Sequence, residues 1–456
     1  MRSLPPVPSR RTYSSLVSDL GAGPVPTPRT LPTGVVLVVC ALALGAVAWH
    51  IWAVPFGQQT YGLFQNGIDT RVYRGGALAV RFDQPLYDAP VYKAWQFTYT
   101  PFAALLMLPM AWISNAHAEQ GMHIVNVICL LLLTFLSLRA LGFRRDLRFW
   151  IVTAAFSVAV TTLEPVHTTI WNGQINLVLA VLVLGCLTLP LGRWRGIGVG
   201  LAAGIKLTPV FFVLYLALLR NWRAVITAIA TVAATVVIGL LVLRGQAWHF
   251  WTSTMRDTSR IGPENWPPNQ SIHGALIRLG TLGIWQAPGW LWLPIAALVA
   301  AAGLWAALRA YRCGQVLLAV TVTGLTSCGV SPFSWGHHWV WVAPLLLILV
   351  VQAVDAGRSS VRAAAGWWAL TVAMVALTFC WYRSVYVGEV HRYAFGSFRL
   401  FWAVPAHGWH LVGAAIGSSA YPIVLIATIA VTLWWTRGVD PIRFKTTERP
   451  EPELRD

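Results

Sequence analysis

Uncharged apolar stretches dominate this chain. They recur at 33–54, 121–138, 149–163, 174–192, 224–243, 279–308, 313–354, 363–382 and 400–436. An α-helix needs roughly 20 such residues to cross a bilayer. The stretch 313–354 is long enough for two crossings with a polar motif between them. Two further segments are interrupted. Residues 98–113 are short and carry Pro101 and Pro109, and residues 196–219 are broken by Lys206, Thr208 and Pro209.

If all these segments crossed, Arg139, Arg144, Arg145 and Arg148 would lie outside, against the positive-inside rule. Suppose instead that 98–113 is re-entrant and that 196–219 is a broken hairpin entering from the cytoplasm. The basic loops 139–148, 193–195, 220–223, 309–312 and 355–362 then share the cytoplasmic face with both tails. Non-helical backbone at membrane depth is tolerated where it lines a cavity, so both breaks point to a site. The expectation is an all-α polytopic membrane protein with about ten full crossings plus two broken segments. Residues 1–32, rich in Pro, Ser, Thr and Arg, read as a disordered cytoplasmic tail. Residues 33–436 read as one transmembrane domain, and 437–456 as a second cytoplasmic tail. The loops 55–97, 164–173 and 244–278, the turn 331–338 and the loop 383–399 fall on the non-cytoplasmic face.

Composition agrees. With 57% hydrophobic and 11% charged residues, there is too little charge to cover the surface of a soluble globule, which excludes a cytosolic enzyme. The net charge of +17 would suggest nucleic acid in a soluble protein. Here short basic inter-helix loops explain it, and no nucleic-acid partner is expected. The six cysteines have no metal-ligand spacing and read as small core hydrophobes.

That topology puts few carboxylates outside: Asp69, Asp83, Asp88, Glu164, Asp257, Glu264 and Glu389. An external enzyme working by general-base catalysis draws on this set or on histidine. Asp69 lies soon after the first span. Glu164 ends another, and Asn172, Gln174 and Asn176 open the next at i, i+2 and i+4. Capping explains one of these amides; three together suit sugar hydroxyls. Lys206 sits between two apolar half-helices, where an ionisable residue is a functional candidate able to meet a phosphate. Its bland reading is a snorkelling lysine. Arg260, Asn269 and Gln270 lie in a long external loop, and His337 and His338 lie between two spans. Adjacent histidines point in different directions and no third ligand is evident, so no metal is expected. The 25 tryptophans fit interfacial belts.

Seven motifs occur in order: Asp69 with Val72-Tyr73, Phe97 to Phe102 around Thr100-Pro101, Glu164-Pro165, Asn172 to Asn176, Gly204 to Pro209, Asn269 to Ser271 and Ser331 to Trp341. Together they resemble glycosyltransferase family 87. These are GT-C-fold mannosyltransferases of actinobacteria that use polyprenyl phosphate mannose to build phosphatidylinositol mannosides and lipoglycans. The resemblance implies Asp69 as catalytic base and His337 or His338 beside the donor phosphate, with Lys206 and Arg260 as further candidates. It implies sugar or acceptor contacts from Glu164, Asn172, Gln174, Asn176, Asn269 and Gln270. It implies a glycolipid acceptor, no cofactor, and a multi-pass plasma-membrane location with the site on the external face. The chain departs from the family pattern at Gly336, where a polar residue is common. A phosphate leaving group is already ionised, so a single base suffices and no general acid is needed. Alternatives are a transferase of another polyprenyl-phosphate sugar, such as arabinofuranose, and a lipid-linked sugar transporter.

Overall fold

The computed structural model describes residues 28–53, 56, 62–380, 383–387, 390–394 and 410–437. Most of the two expected tails, 1–27 and 438–456, lies outside these residues. Helices make up nearly all of the regular structure, and one antiparallel hairpin joins Arg383–Val387 to Val390–Ala394. Five helices are long and apolar enough to cross a membrane: α1 (Thr33–Trp52), α4 (Asn115–Ala140), the Trp222–Arg256 unit containing α10 (Trp222–Thr252), the Gly289–Arg312 unit containing α12 (Trp292–Arg312), and α15 (Val361–Thr378). Two bent pairs raise this to seven: α6 (Glu164–Asn172) with α7 (Asn176–Thr188), bent by 117°, and α16 (His410–Ser418) with α17 (Ala420–Trp435), bent by 70°.

Length and composition alone mark five to seven spans and do not confirm the ten expected. The difference rests on α5 (Leu147–Ala159), α13 (Val316–Val330) and α14 (Val342–Ala356), which have 13, 15 and 15 residues. A helix this short rises only about 20–23 Å. The loop expected at 164–173 is corrected, because it folds as α6. Pro165 at the start of that helix and left-handed Gly173 at its end define it.

The remaining helices are short. They are α2 (Ile68–Arg81), α3 (Pro101–Met107), α8 (Ile197–Ile205), α9 (Phe211–Leu218) and α11 (Ile272–Thr281). Side chains start many of the helices, as Ser114 does for α4, Asp146 for α5, Asn221 for α10 and Ser271 for α11. Nearly every residue of α13 and α14 is buried, which makes them the centre of the bundle. Leu44, Leu241 and Leu298 on the outer helices are 70–72% exposed, as expected of side chains facing lipid.

The two interrupted segments meet. Thr100, the N-cap of α3, accepts from the amide of Ala103 and donates to the carbonyl of Gly204 at the end of α8, 2.5 Å away. Gly196, which precedes α8, and Gly200 and Gly204 within it recur every fourth residue and lie so close to α10 that an added Cβ would come within 2.1–2.4 Å of it. Small residues at this spacing let two apolar helices approach without hydrophobic help from water. At one end of the bundle the contacts are basic. Arg29 pairs with Asp355 at 2.7 Å, Arg148 donates to the carbonyl of Leu31, and Arg309 donates to that of Thr436. The other end carries the polar motifs.

Candidate active site

The 117° elbow between α6 and α7 organises the site. The amide of Gly67 donates to the carbonyl of Trp171 at 2.8 Å, Asn66 donates to Asn172 at 2.8 Å, and the Thr70 hydroxyl donates to the carbonyl of Gly173 at 3.2 Å. These three bonds clamp the first turn of α2 against the elbow. Asp69 lies in that turn, half-buried, and accepts from the side-chain amide of Gln174. Burial pushes its carboxyl up to about 6, against the opposing pull of the Lys206 charge and the Gln174 bond.

Lys206 occupies the break after α8, in extended backbone. Its ammonium donates to Oδ1 of Asn176 at 3.2 Å, contacts Nε2 of His338 at 2.9 Å, and lies 5.3 Å from the centre of the Tyr99 ring. Since an ammonium only donates, Nε2 of His338 is the acceptor and the ring proton sits on Nδ1. Nδ1 of His338 and Nε2 of His337 are buried with no hydrogen-bond partner. Burial, and then the Lys206 charge, hold both imidazoles well below their ordinary range, so both are neutral. Asn176, Lys206 and His338 form the polar head of a narrow cleft. Its walls are apolar, with Leu179, Val183, Phe212, Val340 and Trp341.

The other expected residues lie apart from this head. Glu164 is buried under the histidine turn, bonded by the hydroxyls of Tyr421 and of Thr168, the latter at 3.1 Å. Gly336 rests on that carboxylate, and an added Cβ would stand 2.5 Å from Oε2. This close packing is a physical reason for glycine at 336. Asn269 accepts from the amide of Ser334 and from Ser271, and donates to the carbonyl of Glu264. Gln270 donates to the carbonyls of Pro267 and Ser418 and accepts from the amide of Tyr421. Glu164, Asn269 and Gln270 thus spend their polar groups on the protein, and Asn172 spends its Oδ1. Arg260 faces Tyr87, and two of its guanidinium nitrogens are buried without a partner. Its neighbour Tyr87 donates to the carbonyl of Tyr99 at 3.0 Å. Among the described residues no three His, Cys, Asp or Glu side chains gather as a metal site.

Three residues of this network carry no role in the sequence reading: Tyr73, Tyr99 and Tyr421. Tyr73 was findable, since it follows Asp69 by four positions and so shares its helix face. Tyr421 opens an apolar helix and gives no such signal.

The family model for glycosyltransferase family 87 matches residues 97–332. A polyprenol-phosphate-mannose-dependent alpha-(1-2)-phosphatidylinositol mannoside mannosyltransferase of Mycobacterium tuberculosis is 35% identical over 68% of this chain and 74% of its own. The protein of the same description from Mycolicibacterium smegmatis is 35% identical over 74% of this chain and 79% of its own. A polyprenol-phosphate-mannose-dependent alpha-(1-2)-phosphatidylinositol pentamannoside mannosyltransferase, also of Mycolicibacterium smegmatis, is 34% identical over 74% of this chain and 80% of its own. No solved structure matches the chain significantly. The matched region takes in the Thr100-Pro101 start of α3, the elbow and the Lys206 break, and the chain belongs to glycosyltransferase family 87.

Proposed function

We propose that this chain transfers mannose from polyprenyl phosphate mannose to a phosphatidylinositol mannoside or related glycolipid, forming an alpha-(1-2) linkage. One observation carries the reading: Lys206 stands at the polar head of an apolar cleft, within electrostatic reach of the Asp69 carboxylate. A lipid-linked sugar phosphate has this division of chemistry, with an apolar tail for the cleft and an anionic group for the lysine.

In this mechanism Asp69 takes the proton of an acceptor hydroxyl. The hydroxyl oxygen attacks the anomeric carbon from the face opposite the phosphate. The bond from that carbon to the phosphate oxygen breaks, and polyprenyl phosphate leaves with the electron pair. Inversion follows from the single displacement. Lys206 stabilises the negative charge that grows on the phosphate. Asn176 and His338 hold two of its three N–H groups, and the third is left for the ligand. His338 supports the lysine, and His337, with Nε2 unpartnered, contributes to the phosphate side. Glu164, Asn269 and Gln270 frame the turn that carries the histidines.

The same reading places ten crossings in the bundle, with α5, α13 and α14 crossing as short, buried helices. The basic end then faces the cytoplasm and the site faces outward. The collection of arginines at one end supports this orientation.

The test is an assay of the purified protein with radiolabelled polyprenyl phosphate mannose or GDP-mannose on a phosphatidylinositol mannoside acceptor, with and without EDTA. Transfer from the lipid donor alone, unaffected by chelator, is expected. Transfer from GDP-mannose without lipid, or complete loss with EDTA, overturns this reading.

A further inference from the structure

Gln174 is buried, and its side-chain oxygen is crowded with donors. Tyr73 Oη lies at 2.7 Å, Tyr99 Oη at 3.0 Å, the amide of Ile175 at 3.1 Å and Nδ2 of Asn176 at 3.4 Å. The two tyrosine oxygens are 3.0 Å apart, and the amide of Ile175 also reaches Tyr73 Oη at 3.3 Å. Side-chain amides are often ambiguous in orientation, because oxygen and nitrogen have the same shape. Here the count of donors decides. Turned around, the NH₂ group would face an amide N–H and another side-chain NH₂, and the carbonyl oxygen would face the carboxylate of Asp69. Only one orientation satisfies both sides, and in it the NH₂ group points at Asp69.

We propose that Gln174 is a positioning residue, locked by Tyr73 and Tyr99, that fixes the rotamer of Asp69 and aims its free oxygen lone pairs at the acceptor hydroxyl. The inference rests on the reading of Asp69 as the base. It gives Gln174 a task different from sugar contact, because its oxygen is fully used and its NH₂ group is engaged by the carboxylate. Through Asn176 the same network continues to Lys206 and His338, so the base and the cation are held in one frame. The titratable and charged groups facing Asp69 are Lys206 from the break after α8, Tyr73 from its own helix and Tyr99 from the segment before α3. Arg71 on the same helix is engaged by Glu119 at 2.6 Å. The Gln174 bond stabilises the ionised carboxylate, so removing it raises the pH at which the base is lost.

The experiment compares Gln174→Leu, Tyr73→Phe, Tyr99→Phe and Asp69→Asn in detergent-purified protein, with polyprenyl phosphate mannose as donor. Melting temperature, kcat, donor KM and the acid limb of kcat/KM are read for each. Gln174→Leu should lose at least about tenfold in kcat with donor KM within about threefold. Its acid limb should move to higher pH. Tyr73→Phe and Tyr99→Phe should move the limb the same way with smaller losses, and they keep the test open if the leucine variant does not fold. Folded phenylalanine variants with the wild-type limb overturn the lock while leaving Asp69 as base. A raised donor KM with unchanged kcat in Gln174→Leu makes Gln174 a substrate contact and overturns the inference. Wild-type turnover by Asp69→Asn instead removes the base, and with it the reading on which the lock rests.

Discussion

Nε2 of His338 stands 2.9 Å from the ammonium of Lys206 and can only be accepting from it. The imidazole is therefore an anchor for the lysine, and the positive charge at the head of the cleft belongs to Lys206.

This ordering is measurable. Lys206→Met should raise the donor KM by about 10- to 100-fold, the ratio that ~1.5–3 kcal/mol represents for a charge-assisted hydrogen bond. His338→Gln keeps an acceptor for the lysine and should stay within about threefold, less than the loss of that bond. His338→Phe removes the acceptor and should fall between the two. Equal losses for His338→Gln and Lys206→Met would show that the histidine itself meets the phosphate.

Asp69→Asn should bind the lipid donor and lose turnover by about 10²–10⁴-fold, because an amide cannot take a proton. The wild type should show the matching pH dependence. Burial lifts the Asp69 carboxyl to about 6, so the ionised base prevails above that pH and is progressively protonated below it. The rate should therefore fall about tenfold for each pH unit below that limb. A kcat/KM profile from pH 4.5 to 8 checks the sign and the midpoint.

The two faces can be told apart by cysteine labelling in a Cys-less background. Asp83 and Asp257 are exposed at the end that carries the site, and Arg145 and Arg358 are exposed at the basic end. Cysteines at the first two should react with an impermeant maleimide on intact cells, and those at the second two only after lysis. Labelling of position 145 on intact cells would reverse the topology and force the short segment around Pro101 to cross.

Gly336→Ala puts a methyl group 2.5 Å from the Glu164 carboxylate, and overpacking of this kind costs about 1–3 kcal/mol. A lowered melting temperature is expected. Combining it with Glu164→Ala should cost less than the sum of the two single changes, since they share one contact. Additive losses would mean that the turn moves freely over Glu164.

Much of this arrangement is legible in the sequence because the signals are local. Pro101 and Pro109 mark 98–113 as a short, interrupted segment, and the seven-residue α3 lies there. Lys206-Leu207-Thr208-Pro209 names a break, and α8 ends at Ile205. Asp69 stands out because acidic residues are scarce. What was hidden depends on distant partners. Residues 164–173 read as a loop because the bend at Gly173 disguises one turned helix as the end of one span and the start of another. Gln174, Asn269 and Gln270 read as sugar ligands because an amide with a free face and an amide fully used by the protein are the same letter. Only the tyrosine hydroxyls around Gln174, and the carbonyls around Gln270, separate the two cases.

The bond between Tyr421 and Glu164 joins residues 257 positions apart. A ribosome making this chain releases the carboxylate long before the hydroxyl that satisfies it. Until α17 inserts, Glu164 has, among the described residues, only the Thr168 hydroxyl of its own helix as a side-chain partner, and a buried acid short of partners is costly. The site is therefore finished only when α17 is in place. A nascent chain stalled short of residue 420 would hold Asp69, Gln174, Lys206 and both histidines, yet the Glu164 carboxylate under the histidine turn would lack its Tyr421 partner.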